Sequence, residues 1–311
     1  MKILNIVLTA VLLINLATPA FAQDKEPEGT IALSGAWAIY PTAVAWAEGF
    51  QKIHPKVKID VSAGGAGKGA ADAIAGLVDI GMVSREPDQT EINKGITPIY
   101  VLHDAVFPIV SEKNPASAAL LKKGLAKDKW TWIYITGIAA SWDDVTGEKI
   151  GKPIHVYTRS DSCGAAASWA AFFGKKQDDL KGVGVYGDPG LLGATKIDPI
   201  GVGYTNFSYI FTRDGKIADG VKVVPIDANN NGVADKDEVY TNREDAVKAI
   251  ESGKYPVTRK NYFFVKGAPK GIIKEFIKFA LSDEGADIVN RVGASLPILK
   301  GEREKILTEL K

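Results

Sequence analysis

The sequence predicts an α/β protein whose two lobes face each other across a hinged cleft. Three observations predict it. Strand-like and helix-like runs alternate between residues 30 and 83, the alternation restarts beyond residue 154, and no low-complexity linker separates the two regions. A chain of 311 residues, 46% of them hydrophobic, holds enough apolar material for one large or two medium cores.

The first segment is a leader. Lys2 is the only charge before Ala22, Ile3–Leu16 is apolar except for Asn5, Thr9 and Asn15, and Ala20-Phe21-Ala22 fits the small-x-small cleavage rule. Met1–Ala22 therefore reads as a signal peptide, with the mature chain starting at Gln23. The apolar run is shorter than the ~20 residues a spanning helix needs. A lipid anchor is not expected, because no cysteine lies near the cleavage site. The single cysteine, Cys163, excludes an intrachain disulfide, which suits an exported bacterial or archaeal protein that folds on its core alone.

Beyond the leader, Thr30–Ser34 reads as a strand. Thr42–Ile53 is helical, with Ala43, Trp46, Ala47 and Phe50 on one face. Val57–Ser62 alternates like a strand, Gly69–Leu77 is a short alanine-rich helix, and Ile80–Val83 is a strand. This β-α-β-α-β order argues for a largely parallel, doubly wound sheet. Further on, Ile154–Thr158 is a strand, Gly164–Phe173 a helix, and Ile200–Tyr204 and Val221–Ile226 are strands. Near the end Tyr262–Val265 is a strand, followed by helices over Ile272–Leu281 and Glu284–Val292. With no linker, the chain is expected to cross between lobes near Val106–Val110 and return near Tyr255–Asn261. Lobe one then comprises residues 28–107 plus 258–311, and lobe two residues 108–257.

Net charge is +1, and no basic run or acidic tail is present, so nucleic acid is not an expected partner. The chemistry-bearing signals are three small-residue turns between a strand and a helix: Ser34-Gly35-Ala36-Trp37-Ala38, Gly64-Gly65-Ala66-Gly67-Lys68-Gly69 and Ser162-Cys163-Gly164-Ala165. A helix start exposes unpaired N–H groups and the positive end of the dipole, and small residues let an anion approach them. The second turn is not a P-loop: Ser62 stands at the first glycine position and Gly69 where the magnesium-binding hydroxyl belongs. Arg159-Ser160-Asp161 offers a guanidinium able to clamp an oxyanion, and Ser84-Arg85 is a similar candidate.

Together these residues resemble the PstS-type phosphate-binding proteins of ABC importers. The resemblance rests on Val78-Asp79-Ile80-Gly81-Met82-Val83-Ser84-Arg85, Arg159-Ser160-Asp161-Ser162-Cys163-Gly164, Ile200-Gly201-Val202-Gly203-Tyr204, Tyr255-Pro256-Val257-Thr258-Arg259 and Phe279-Ala280-Leu281-Ser282-Asp283-Glu284-Gly285, in the family's order and spacing. It implies a two-lobed periplasmic binding protein fold of type II with phosphate held by four loops. It further implies an extracytoplasmic monomer that needs no cofactor for function and delivers its ligand to an ABC permease. The residues carried over are Gly35, Ala36, Trp37, Ala38, Ala66, Gly67, Ser84, Arg85, Arg159, Asp161, Cys163, Gly164 and Ala165. Where the family usually offers hydroxyls, this chain has Ala36, Trp37, Ala38, Ala66, Cys163 and Ala165. Backbone amides, Ser84, Arg85, Arg159 and Asp161 are left to hold the ligand, with Ser34, Ser162 and Lys68 nearby, and arsenate, sulfate, molybdate and phosphite stay open beside phosphate.

The rival class is an exported hydrolase or transferase acting on phosphate esters. Such an enzyme needs a nucleophile, a base and usually a metal, and His54, His103, His155 and Cys163 form no such set in the sequence. Two readings of Cys163 stand: an inert pocket wall, or a thiolate whose pKa falls beside Arg159 at a helix start. The remaining motif runs from Asp227 to Glu238 and matches the twelve-residue calcium loop at positions 1, 3, 5, 6, 9 and 12. Asp227, Asn229, Asn231, the Val233 carbonyl, Asp235 and Glu238 would supply oxygens, and Gly232 the sharp turn. A strand precedes the loop, so a structural Ca2+ clamp is expected rather than a regulatory EF-hand.

Overall fold

The computed structural model describes residues 26–310, so the expected signal segment Met1–Ala22 lies outside the described residues. The strand Gly29–Gly35 lies between Val57–Ala63 and Ile80–Val83 and is parallel to both. Two helices make the crossovers. Tyr40–Ile53 starts with a proline in its first turn, where the missing N–H costs nothing, and buries Ala43, Trp46, Ala47 and Phe50. Ala66–Ala75 begins after Gly65 and ends at the left-handed Gly76. Its Gly69 packs against the carbonyls of Ser34 and Met82, where any side chain would overlap backbone atoms. That close approach brings the helix start to the strand ends.

One 16-residue strand, Ile96–Ser111, passes from one lobe into the other. Thr258–Lys266 runs antiparallel beside it, from Thr258 opposite Ala105 to Lys266 opposite Ile96, and also pairs with Ile80–Val83. Farther along, Val106–Val110 pairs antiparallel with Val202–Asn206. The sheet is thus continuous through both lobes and mixed, which corrects the expectation of a largely parallel one. The antiparallel pairs all involve the strands that cross or border the hinge, and a chain that leaves and re-enters a lobe must run both ways there.

In the second lobe His155–Arg159 lies parallel to Val183–Val185 and Gly201–Asn206. The expected strand Val221–Ile226 is two pieces. Val221–Val223 pairs with Ile109–Ser111, and Ile226–Asp227 pairs with Leu125–Ala126 in a separate small sheet. Pro225 between them has no N–H to continue a ladder.

Two apolar clusters result. One joins Ile31, Trp46, Phe50, Met82 and Leu102 to Phe263 and Phe276. The other joins Ala105, Phe107, Trp130, Trp142, Trp169 and Tyr204 to Tyr255 and Val257. The change of core falls between Leu102 and Ala105, slightly before the expected crossing. Among the described residues no helix is long and apolar enough to cross a membrane.

Candidate functional site

The small-residue turns meet at the seam between the lobes. Gly67 N donates to Ser162 O at 3.0 Å. A side chain on Gly65 would come within 2.8 Å of Asp161 Oδ2, and one on Gly164 would overlap the Ser84 carbonyl and hydroxyl oxygens. Gly35 in turn packs on Gly69 and on the Met82 carbonyl. Residues 35–38, 64–69, 82–84 and 161–165 therefore form one contact set, as the sequence groups them.

Their amides are not equally available. Ala36 N donates to Met82 O at 2.8 Å, Gly67 N is engaged by Ser162, and Cys163 N donates to Gln177 Oε1 at 3.1 Å. These three, expected among the ligand-binding positions, have their N–H groups satisfied by protein. Among the described residues the amides of Trp37, Ala38, Ala66, Gly164 and Ala165 have no such partner, as the first turns of helices require.

Arg159 is wholly inside, its side chain 0% exposed. Its Nε and one terminal nitrogen donate to the two oxygens of Asp161 at 2.8 and 2.6 Å. The other terminal nitrogen donates to Asp188 Oδ2 at 2.5 Å. Burial weakens the guanidinium's hold on its proton, but Asp188 and Asp161 more than restore it, so Arg159 stays charged. These three bonds use three of the five guanidinium N–H groups and hold Arg159 in place. Arg159 is the keystone of the loop, tying Asp161 to Asp188 at the start of the helix Gly187–Ile197. Asp161 also accepts from Gly187 N at 3.1 Å. Sequence reasoning missed Asp188. The signal was a local one: Asp188-Pro189 opens the helix Gly187–Ile197, where an acidic residue suits the dipole.

Arg85 does not join the anion loops. It grips both oxygens of Glu91 at 2.7 and 3.0 Å and donates to Glu86 O. Burial would raise the Glu91 carboxyl, but Arg85 and the Asp88 amide pull it below the usual range. Arg85 lines a lateral groove of about 430 Å3 with Ser168, Pro256 and Arg259. The Trp37 side chain points across the seam instead of toward the amides. Its indole lies against Gly187 and edge-on to Tyr186, with ring centroids 6.1 Å apart, and its carbonyl accepts from Tyr209 Oη at 3.4 Å.

Cys163 caps the helix Gly164–Phe172, its sulfur accepting from Ala166 N at 3.4 Å. Burial pushes the thiol up to about 12 against the pull of Arg159, which removes the low-pKa thiolate reading. His155 pairs with Asp198 on the surface, and His103 lies in the long crossing strand, where burial lowers its pKa.

The Asp227–Glu238 loop has left-handed backbone at Asn230 and Gly232. Asp227 accepts from the amides of Asn231 and Gly232, and Glu238 from those of Ala228 and Asp235. The Nδ2 groups of Asn229 and Asn231 both donate to Asp235. Among the described residues no group of three or more His, Cys, Asp or Glu side chains stands ready to hold a metal ion. Asn229 Oδ1 accepts from Asn231 N at 3.0 Å and Asn231 Oδ1 from Val233 N at 2.8 Å, so these side-chain oxygens serve as turn acceptors within the loop.

A family model described as a PBP superfamily domain matches residues 22–284. Similar curated proteins include the phosphate-binding protein PstS of Bacillus subtilis, 26% identical, with 84% of this chain and 78% of that protein covered. PstS of Pseudomonas aeruginosa is 25% identical, with 97% and 93% covered. Among solved structures, a candidate phosphate ABC transporter substrate-binding protein from Clostridium perfringens, with bound phosphate, matches with a TM-score of 0.70 at 25% identity, covering 87% of this chain and 100% of that one. An ABC-type phosphate transport receptor from Vibrio cholerae matches in fold, with a TM-score of 0.63 at 18% identity over 87% and 100% of the two chains.

Proposed function

This chain belongs to the PBP superfamily, and from that premise we propose that it captures phosphate between its lobes and hands it to an ABC permease in the cytoplasmic membrane. It works as an extracytoplasmic monomer and performs no chemistry. The observation that carries this reading is the meeting of three helix starts whose amides at Trp37, Ala38, Ala66, Gly164 and Ala165 have no protein partner among the described residues. Such amides favour negative charge whatever side chains surround them. This is how a site can serve an oxyanion after losing most of its hydroxyls. A Cys163 thiol held protonated supports the reading without catalysis.

With both Asp161 oxygens on Arg159, the acceptor for a proton on the ligand is Ser84. One hydroxyl discriminates less than a free carboxylate, so sulfate competes measurably. Calorimetry with phosphate, arsenate, sulfate, molybdate and phosphite tests this, beside a chromogenic phosphate ester that must not turn over. Phosphate failing to bind best, or steady ester cleavage, would overturn the reading.

We also propose a structural Ca2+ in the Asp227–Glu238 loop. The donors are hard oxygens of the kind calcium takes, and Gly232 and Asn230 already have the left-handed backbone of a tight loop. Turning the Asn229 and Asn231 amides would present their oxygens. The ion would brace the second lobe and leave oxyanion contact to the seam.

A further inference from the structure

The ion group around Arg159 does not end at the anion loops. Asp188 Oδ1 accepts from Thr205 Oγ1 and from Asn206 N, both at 3.2 Å. The side-chain oxygen of Asn206 accepts from Arg259. Arg259 donates to Asp104 Oδ2 from Nε at 3.2 Å and from a terminal nitrogen at 2.6 Å. Asp104 and Arg259 stand opposite each other in the two strands that cross between the lobes. Every member is buried, from 0% exposed at Asp104 to 9% at Asp161. At the far end Asp161 Oδ2 lies where a β-carbon on Gly65 of the other lobe would come within 2.8 Å of it, and the adjoining Ser162 carbonyl accepts from Gly67 N at 3.0 Å. Contacts therefore run unbroken from a lobe-one loop, through Asp161, Arg159, Asp188 and Asn206, to the hinge pair.

We propose that this buried chain couples the anion loops to the hinge, with Asn206 and Arg259 as positioning residues for closure. The proposal rests on the reading of the protein as a hinged oxyanion binder. Breaking one partner of a buried ion pair is costly, so Arg159 with its carboxylates and Arg259 with Asp104 move together or not at all. The hinge end has a second geometry open to it. Both Arg259 donors use one oxygen of Asp104, while Asp104 Oδ1 and the remaining Arg259 nitrogen are buried without a partner among the described residues. Both amide atoms of Asn261, wholly buried two residues along the same strand, also lack one. When Asn206 withdraws, Arg259 can turn onto these groups. A two-state element of this kind is what coupling between sites requires.

The test uses Cys163, the single cysteine, which lies 4% exposed between two residues that touch the other lobe. The rate of its labelling by a thiol reagent in ligand-free, folded protein reports opening of the seam. Asn206→Ala is expected to raise that rate about tenfold and to weaken phosphate binding by a similar factor through faster dissociation, the scale of one hydrogen bond to a charged group. Asn206 precedes the short helix Phe207–Ile210. Asn206→Thr keeps a capping residue there while falling short of Arg259, and it carries the test if the alanine variant does not fold. A purely structural role predicts labelling that tracks the melting temperature in every variant, whereas coupling predicts faster labelling without a matching fall. Unchanged labelling and dissociation in a folded variant would overturn the proposal. If the unmodified protein bound no phosphate yet labelling followed this pattern, the coupling would stand and the oxyanion reading would fall.

Discussion

Ser84 and Gly164 touch across the cleft so closely that a β-carbon on Gly164 would overlap both the carbonyl and the hydroxyl oxygen of Ser84. One residue follows the strand Ile80–Val83 of the first lobe and the other begins a helix of the second. The tighter overlap is with the Ser84 carbonyl, a backbone atom, so no side-chain rotation can relieve an added methyl.

Gly164→Ala is therefore expected to fold and fail to close. A methyl is tolerated by the helix itself, and the clash lies wholly between lobes. Overpacking of this kind costs about 1–3 kcal/mol, so phosphate binding should weaken by roughly 10- to 100-fold. Small-angle scattering should show the variant staying extended when phosphate is added. Binding and compaction like those of the unmodified protein would show that the seam is not the closed state.

Replacing Arg159 should do more than remove a contact. Arg159→Ala leaves Asp161 and Asp188 buried side by side, and breaking a buried pair typically costs about 3–5 kcal/mol. Urea unfolding should show that loss, together with no measurable oxyanion binding. Adding Asp188→Asn should recover part of the stability and none of the binding. An Arg159→Ala protein that kept both properties would contradict the keystone role.

The thiol of Cys163 should behave as a buried acid. Its folded pKa is raised to about 12 by burial. Any stability that comes from holding it protonated is complete below the ordinary thiol value and is lost as pH rises toward about 12. Its reaction rate should keep climbing through pH 10, with no plateau near the ordinary value of about 8.5. Cys163→Ala should flatten the alkaline limb of the stability curve. A plateau near pH 8 or 9 would place the thiol in water instead.

Much of this was legible in the sequence because it is local. The helix face at Ala43, Trp46, Ala47 and Phe50, the glycine turns and the strand before Ser84 depend on neighbours a few residues away. What was not legible depends on pairing over distance. Arg159 and Asp161 are two residues apart, but Asp188 and Asn206 reach the same network from other elements, and Arg259 comes back from the far end of lobe two. The mixed sheet escaped for the same reason, since strand direction at the hinge follows from the chain's return and not from any periodicity. Arg85 looked like an anion ligand because nothing local showed that Glu91 would take both its terminal nitrogens.

Calcium should matter to stability and not to ligand contact. Chelation is expected to lower the melting temperature of the unmodified protein by a few degrees, about 1 kcal/mol or more for a domain of this size. Glu238→Gln should remove that sensitivity while phosphate affinity holds. A melting curve indifferent to chelator and to added calcium would count against the loop as a metal site.

The most direct measurement is equilibrium dialysis of the folded protein against labelled phosphate, with and without excess sulfate. The account predicts saturable binding of one phosphate per chain, partial displacement by sulfate, and no binding to Arg159→Ala. No saturable phosphate binding by the folded, unmodified protein would contradict it.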